Sequence, residues 1–210
     1  ILVVQQLRFH PLSALIKKII TSNAMGNLYR FDVTHSEHIS LWHPWEDFRN
    51  SYAVQKALGG GSFLTQNHGT DLIFYLLGMP DDYVTILGDG SHLEIDCDEM
   101  FTSLLKYDRS NAGVLGTVNG DYLGRPPVMA AEFEFERGLI KLNFRTAEIE
   151  ATVRKKNGNK HFIRTLSFER NNQYFEMTRA VLEYCHSKAP KKFDDRLVSF
   201  KEARAILKCG

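Results

Sequence analysis

The sequence predicts an α+β domain: a single open, predominantly antiparallel sheet of about eight strands with helices packed on one face. Three observations predict it. Helical spacing of apolar residues is confined to the two ends of the chain and to one segment around residue 70. From Asp81 onward apolar residues alternate in short runs, broken by turns rich in Gly, Asn and Asp. Those runs follow one another too closely for parallel pairing, which needs a long crossover. Strands grouped between helices belong to the α+β class.

The elements follow in order. Ile1, Leu2, Val3 and Val4 form an apolar run too short for a helix, and read as a strand or a link. Pro11 suits the first turn of a helix. Behind it Leu12, Leu15, Ile16, Ile19 and Ile20 recur at helical spacing, and Gly26 stops the helix. Tyr29, Phe31 and Val33 alternate with Arg30, Asp32 and Thr34, which predicts a strand within residues 27–40. Residues 41–58 are a polar-aromatic connection, and Gly59, Gly60 and Gly61 precede an apolar helix from about Ser62 to Leu77. Strands are predicted at 83–87, 93–97, 101–107, 114–122, 128–136, 139–144, 149–155 and 161–164. Turns at 88–90, 110–113, 137–138 and 157–158 separate them. Two helices finish the chain: one with Tyr174, Met177, Val181, Leu182 and Cys185 as its stripe, the other with Leu197, Phe200, Ala203 and Leu207. Residues 188–194 link them, and residues 1–210 read as one domain with no internal boundary.

Composition excludes several functions. Lys and Arg number 26 against 25 Asp and Glu, a formal charge of +1, so the basic surface that nucleic acid requires is absent. No apolar stretch reaches the length of a membrane span. Cys97, Cys185 and Cys209 are scattered and odd in number, as expected of reduced thiols in a cytoplasmic protein. His35, His38 and His43 lack acidic or thiol companions at ligand spacing, so no metal site is expected. The alternation Glu132-Phe133-Glu134-Phe135-Glu136 gives the second sheet face a mixed character, which favours a homo-oligomer contact over plain solvation.

Two constellations could carry chemistry. On a helix starting near Ser62, Thr65, His68 and Asp71 fall at i, i+3 and i+6, a polar stripe with Asn67 beside it and three glycines before it. That reads as one wall of a pocket, or alternatively as a buried histidine satisfied by Asp71. The second is aromatic and basic: Arg8-Phe9-His10-Pro11, and the stretch from Trp42 through Arg49 to Tyr52. Rings cover the C–H faces of a polyhydroxylated ligand while Arg and Tyr bond its hydroxyls; the alternative is that the tryptophans plug the core. Gly88-Asp89-Gly90 precedes a predicted strand and lacks the third glycine of a dinucleotide fingerprint, so it is a turn.

In this order, Arg8-Phe9-His10-Pro11, then Trp42-His43-Pro44-Trp45-Glu46-Asp47-Phe48-Arg49 with Ser51-Tyr52, then Gly59-Gly60-Gly61, Leu64, His68, Asp71 and Leu76-Leu77-Gly78 resemble the C-terminal domain of the Gfo/Idh/MocA oxidoreductases. The resemblance extends over essentially the whole chain. It implies a glyceraldehyde-3-phosphate dehydrogenase-like C-terminal fold and NAD- or NADP-dependent oxidation or reduction of a sugar, sugar derivative or nucleotide-sugar. It makes His68 the catalytic group, able to exchange the carbinol proton. Arg8, Trp42, Arg49, Tyr52, Thr65, Asn67 and Asp71 become candidates for the substrate side. It further implies an N-terminal Rossmann domain, absent from these residues, that binds the cofactor and supplies a lysine, and oligomerisation through the open sheet face. Alone, the chain is expected neither to hold the cofactor tightly nor to turn over. Many family members carry Asp where Thr65 stands, one residue further from the histidine. That departure motivates the rival reading, a sugar-sensing or assembly module that kept the fold and lost the chemistry.

Overall fold

The computed structural model of the chain describes residues 2–108, 113–186 and 194–209. The expected turn at 110–112 and most of the link at 188–193 lie outside them. Helix α1 (Pro11–Thr21) begins as anticipated, with Pro11 at its first position and the His10 imidazole accepting from the Leu12 amide. After it, β2 (Leu28–Ser36) enters the sheet, while the two-residue β1 (Leu2–Val3) pairs with β10 (Val198–Ser199).

The sheet holds eight strands in the order β3-β4-β5-β2-β6-β7-β8-β9. Those after β2 are β3 (Asp82–Gly88), β4 (Met100–Tyr107), β5 (Val114–Asp121), β6 (Val128–Phe135), β7 (Gly138–Asn143), β8 (Glu148–Lys155) and β9 (Gly158–Thr165). The sheet is mixed rather than purely antiparallel, because β2 runs parallel to β5, from Arg30 opposite Leu115 to Ser36 opposite Asp121. The long excursion after β2 supplies the crossover that parallel pairing requires. It brings the chain back so that β2 lies between β5 and β6.

Two other expectations are corrected. Residues 93–97 form no strand. The buried Glu99 carboxylate accepts the His92 and Leu93 amides, and Asp98 accepts from Ser62 Oγ and the Phe63 amide. Glu99 thereby takes two local backbone donors that a ladder would need, while Asp98 is committed to Ser62 and Phe63. The helix expected over 62–77 is divided into α2 (Ser62–Thr65) and α3 (His68–Leu77), with non-helical backbone at Gln66.

Helices α1 and α3 cover one sheet face. Phe31, Val33, Leu105, Val118 and Phe133 from the strands are buried with Leu12, Ile16, Leu72 and Ile73 from the helices. Each such side chain contributes roughly 1.5–3 kcal/mol of burial. Gly69 sets the depth of the contact: a β-carbon there would lie 3.0 Å from Val118 and 3.1 Å from Val33, so glycine lets α3 sit directly on β2 and β5. The helices α4 (Arg170–His186) and α5 (Phe200–Leu207) follow the sheet. Of the α4 stripe, Met177 and Val181 pack with Phe9, Ala180 and Leu197, whereas Tyr174, Leu182 and Cys185 are exposed. On and before α5, Leu197, Ala203 and Ile206 are buried while Phe200 and Leu207 are exposed. The helical spacing was right, but the covered arc is rotated toward the 3-10 turn at Gln6–Phe9 that α4 packs against.

The other sheet face is open. Register places Arg30, Asp32, Glu132, Lys141 and Arg154 on it, with exposed Val84, Ile86 and Leu115 at one end. Among the described residues no helix is long and apolar enough to cross a membrane.

Candidate functional site

Three pieces of chain meet at His68: the 3-10 turn at Gln6–Phe9 with Gln5 before it, the junction of α2 and α3, and the C-terminal half of β2. The junction is fixed from below. Gly61, at φ 122°, lies against Asp98, where a β-carbon would come within 2.2 Å of its Oδ1. Gly60 is as close to the backbone of Tyr52, Ala53 and Gln55. Gly60 and Gly61 therefore admit neighbouring protein, whereas Gly59, at φ 82°, is needed for its backbone and has nothing within 4 Å. Gln66 is fully buried and donates through Nε2 to the Asp121 carbonyl, which ties the break between the helices to the end of β5.

His68 opens α3 and is half-buried. Its Nδ1 lies 3.1 Å from Gln5 Oε1 and its Nε2 lies 3.2 Å from Gln6 Nε2. Gln5 Nε2 donates to Asn67 Oδ1 at 3.2 Å, and Asn67 Nδ2 donates to the Leu64 carbonyl at 3.1 Å. The His35 ring from β2 lies 5.8 Å from the His68 ring, centre to centre. Burial lowers the pKa of His68 to about 4. Burial first, and then the proximity of His68, lowers that of His35 to about 3. Both rings are neutral at pH 7, and a neutral imidazole offers one nitrogen as a proton acceptor.

Arg8 and Asp71 are brought together, away from any ligand surface. They are 1% and 0% exposed, and join through Nη2–Oδ1 at 2.7 Å and Nε–Oδ2 at 3.0 Å. Glu202 of α5 takes the same Nη2 at 2.7 Å. Burial works to lower the Arg8 pKa, but Asp71 and Glu202 outweigh it and the net shift is upward. Burial raises Asp71 more than Arg8 pulls it down. The forked contacts and the second carboxylate hold the pair charged.

Thr65 does not share a helical face with His68, because the helix is interrupted between them. Its hydroxyl bonds the Gly61 carbonyl and the Tyr122 hydroxyl, and Tyr122 donates to the Ala53 carbonyl at 2.9 Å. Trp42 stands edge-on to Tyr122 at 5.6 Å and packs on a small core of Ile39, Ala53, Val54 and Leu93, so this tryptophan serves as a plug. Tyr52 is 58% exposed. Arg49 is exposed, lies over the Phe48 ring and turns toward Asp47. Among the described residues no hydrogen bond or ring contact joins Arg49 or Tyr52 to His68. Asn67 is the expected residue that does reach the histidine, through Gln5.

Gln5, Gln6 and Tyr122 escaped the sequence reading. The only sequence signal for the glutamines is their place directly before Leu7-Arg8, and Tyr122 was hidden in an alternating strand. No group of three His, Cys, Asp or Glu side chains among the described residues could hold a metal ion. Gly88 ends β3 and the chain continues as bends, so Gly88-Asp89-Gly90 opens no helix of the kind that holds a dinucleotide pyrophosphate. A concavity of about 540 Å³ is an open basin among Arg30, Asp32, Glu132, Glu134 and Arg154. It lies on the sheet face opposite His68 and carries none of the histidine chemistry.

Comparison with solved structures identifies the fold. A levoglucosan dehydrogenase in complex with NADH and levoglucosan superposes with a TM-score of 0.72 at 18% identity, over 97% of this chain and 62% of that one. An NAD binding oxidoreductase from Klebsiella pneumoniae gives 0.74 at 13% identity, over 98% and 60%. An oxidoreductase from Agrobacterium radiobacter, in complex with NAD+, L-tartaric acid and magnesium, gives 0.68 at 15%, over 99% and 59%. The chain thus spans about three-fifths of the length of the structures it matches. No family model matches the sequence, and no curated protein matches it.

Proposed function

We propose that this chain is the substrate-side and assembly domain of an NAD(P)-dependent oxidoreductase of the Gfo/Idh/MocA type, acting on a sugar, sugar derivative or nucleotide-sugar in the cytoplasm. The observation that carries the reading is His68: a neutral, half-buried imidazole at a helix start, both nitrogens engaged by side-chain amides and neither by a charged partner. Such a group takes a hydroxyl proton and returns it, which oxidation and reduction of a carbinol require. The likeness to a dehydrogenase that holds NADH and levoglucosan supports a sugar as the partner.

The described residues do not fit the dinucleotide, so the cofactor belongs to a Rossmann domain outside this chain, and the chain's own share is proton handling and substrate contact. Asn67, Tyr52 and Arg49 remain on the substrate side. Arg8 and Asp71 hold the wall rather than line it, and Trp42 and Thr65 brace it from behind. The mixed open face, with its exposed aliphatic end, is the homo-oligomer surface.

The test is NAD(P)-dependent turnover of a sugar panel by the polypeptide that joins this chain to its Rossmann domain. Replacing His68 with Ala should cut kcat by about 10²–10⁴-fold, the usual share of a positioned acid–base group. An unchanged rate removes His68 from the reaction. A specific observation favours the second reading, a non-catalytic sugar-sensing or assembly module: the Thr65 hydroxyl is tied to Gly61 and Tyr122 and contributes nothing to proton exchange at His68. Sugar binding without turnover on any cofactor would select it.

A further inference from the structure

We propose that Gln5 and Asn67 are positioning residues that fix the tautomer of His68, placing its proton on Nδ1 and its lone pair on Nε2, where Gln6 marks the position a substrate hydroxyl occupies. One group in this chain of contacts has a role that cannot vary. The Leu64 carbonyl can only accept, so the Asn67 atom 3.1 Å from it is the amide nitrogen. Asn67 Oδ1 is then the acceptor facing Gln5, and the Gln5 atom 3.2 Å away is its nitrogen. Gln5 Oε1 is therefore the atom turned to His68, and the imidazole must donate to it from Nδ1 across 3.1 Å. In a neutral ring Nε2 is then bare, consistent with the Gln6 amide nitrogen lying 3.2 Å from it as a donor.

Each link has one polarity, so the orientation of two amides and one imidazole follows from a single backbone carbonyl. Gln5 is buried and Gln6 only partly so, which leaves the Gln6 end displaceable. A substrate hydroxyl that replaces the Gln6 amide meets the lone pair directly, with Nδ1–H held behind it. Second partners that orient a histidine play this part at many acid–base and metal sites.

The groups facing the ring from its neighbours are few. His35 approaches from β2 and is itself neutral, with Arg145 acting on His35 at longer range. Asp71, one turn on along α3, is engaged by Arg8 of the facing 3-10 turn. Gln5 is thus the position from which a charge would act most directly on Nδ1.

The assignment rests on the reading of His68 as the proton carrier only for its purpose, not for its test. The experiment is long-range nitrogen–proton NMR of the histidines in this chain near pH 7.5, with the His68 signals identified by their loss in His68→Ala. The expected spectrum shows His68 protonated on Nδ1. Gln5→Leu should move the tautomer ratio toward Nε2–H by about tenfold, the equilibrium value of one hydrogen bond. Gln5→Glu should raise the His68 pKa by about one unit or more, as an adjacent carboxylate does. A purely structural Gln5 would move neither signal. Wild-type His68 protonated on Nε2 overturns the proposal. So does a folded Gln5→Leu with the original tautomer, or a Gln5→Glu without the rise. A confirmed tautomer together with undiminished turnover in His68→Ala would sink the proposed function and leave this assignment standing.

Discussion

Substitution of Asp71 with Asn tests the ion pair that holds the site together. The change keeps the side-chain shape, so no cavity opens, but it removes the charge facing a guanidinium that is 1% exposed. Breaking a buried pair by neutralising one member costs about 3–5 kcal/mol, because the other charge stays buried. Glu202 still touches Arg8 at 2.7 Å and is partly exposed, which places the expected loss at the lower end, about 3 kcal/mol. For a domain of this size that is a fall in Tm of about 6–12 °C. Urea unfolding followed by circular dichroism reads it as a lower midpoint at unchanged slope. Glu202→Gln removes only the solvent-facing arm and should cost under about 1 kcal/mol. The paired change Arg8→Met with Asp71→Leu should recover much of the loss, since no charge is then left buried. A loss below about 1 kcal/mol in Asp71→Asn, or a double variant as unstable as the worse single, would refute the claim that the charge pair is the fastener.

Two further predictions concern the histidines and the open face. His10, His35 and His68 have pKa values lowered by burial to about 4, 3 and 4, so the unfolded chain takes up protons below about pH 6.5 that the folded chain refuses. Stability should be complete above that pH and fall toward pH 5, by up to about 1.4 kcal/mol per pH unit for each ring. His10→Asn keeps a capping acceptor for α1 and should flatten the slope by about a third; an unaltered slope in denaturant titrations would count against it. On the open face, Ile86 is 69% exposed, and Ile86→Glu should convert the proposed homo-oligomer to a monomer in light scattering, whereas a monomeric parent or an unaltered mass would refute this face as the interface.

The fold was largely legible because its signals are local. Alternation in residues 101–107, 114–122 and 128–136 marks strands whichever neighbour they pair with, and Pro11 opens a helix by its own backbone preference. The close comes earlier than Gly26, at the Ser22 cap followed by Asn23 at φ 53°, because asparagine also tolerates the left-handed turn. What was not legible is non-local. Nothing in residues 27–40 says that β2 will lie between β5 and β6, and the parallel pair follows from that placement alone. The alternation at 93–97 was real but lost to Glu99, whose carboxylate takes the His92 and Leu93 amides where a ladder would have begun. At the site, the ordered motif singled out Arg8, Asn67 and Asp71, which the fold gathers near His68, but roles depend on what each side chain meets. Arg8 and Trp42 have the chemistry of sugar contacts, and burial assigns them to packing. Gln5 and Gln6 look like any polar pair until the chain folds them against an imidazole.

The spacing of these contacts ties structure to chemistry. Gln5 and Arg8 are three residues apart, as are His68 and Asp71. Two strips of chain, one approaching the 3-10 turn and one on α3, are therefore joined twice, by Gln5 to His68 and by Arg8 to Asp71. The second joint is dry, charged and forked; the first is neutral and reaches the surface. A neutral amide contact alone would hold the ring loosely, since one such bond contributes only about 1 kcal/mol net. The ion pair a turn away supplies the rigidity, so the imidazole can be held in a single orientation without a charged partner of its own. A carboxylate placed directly on His68 would have held the ring as firmly, but would have favoured the imidazolium. Separating the fastener from the proton carrier keeps the ring both fixed and neutral, which is the state a hydroxyl proton acceptor needs at pH 7.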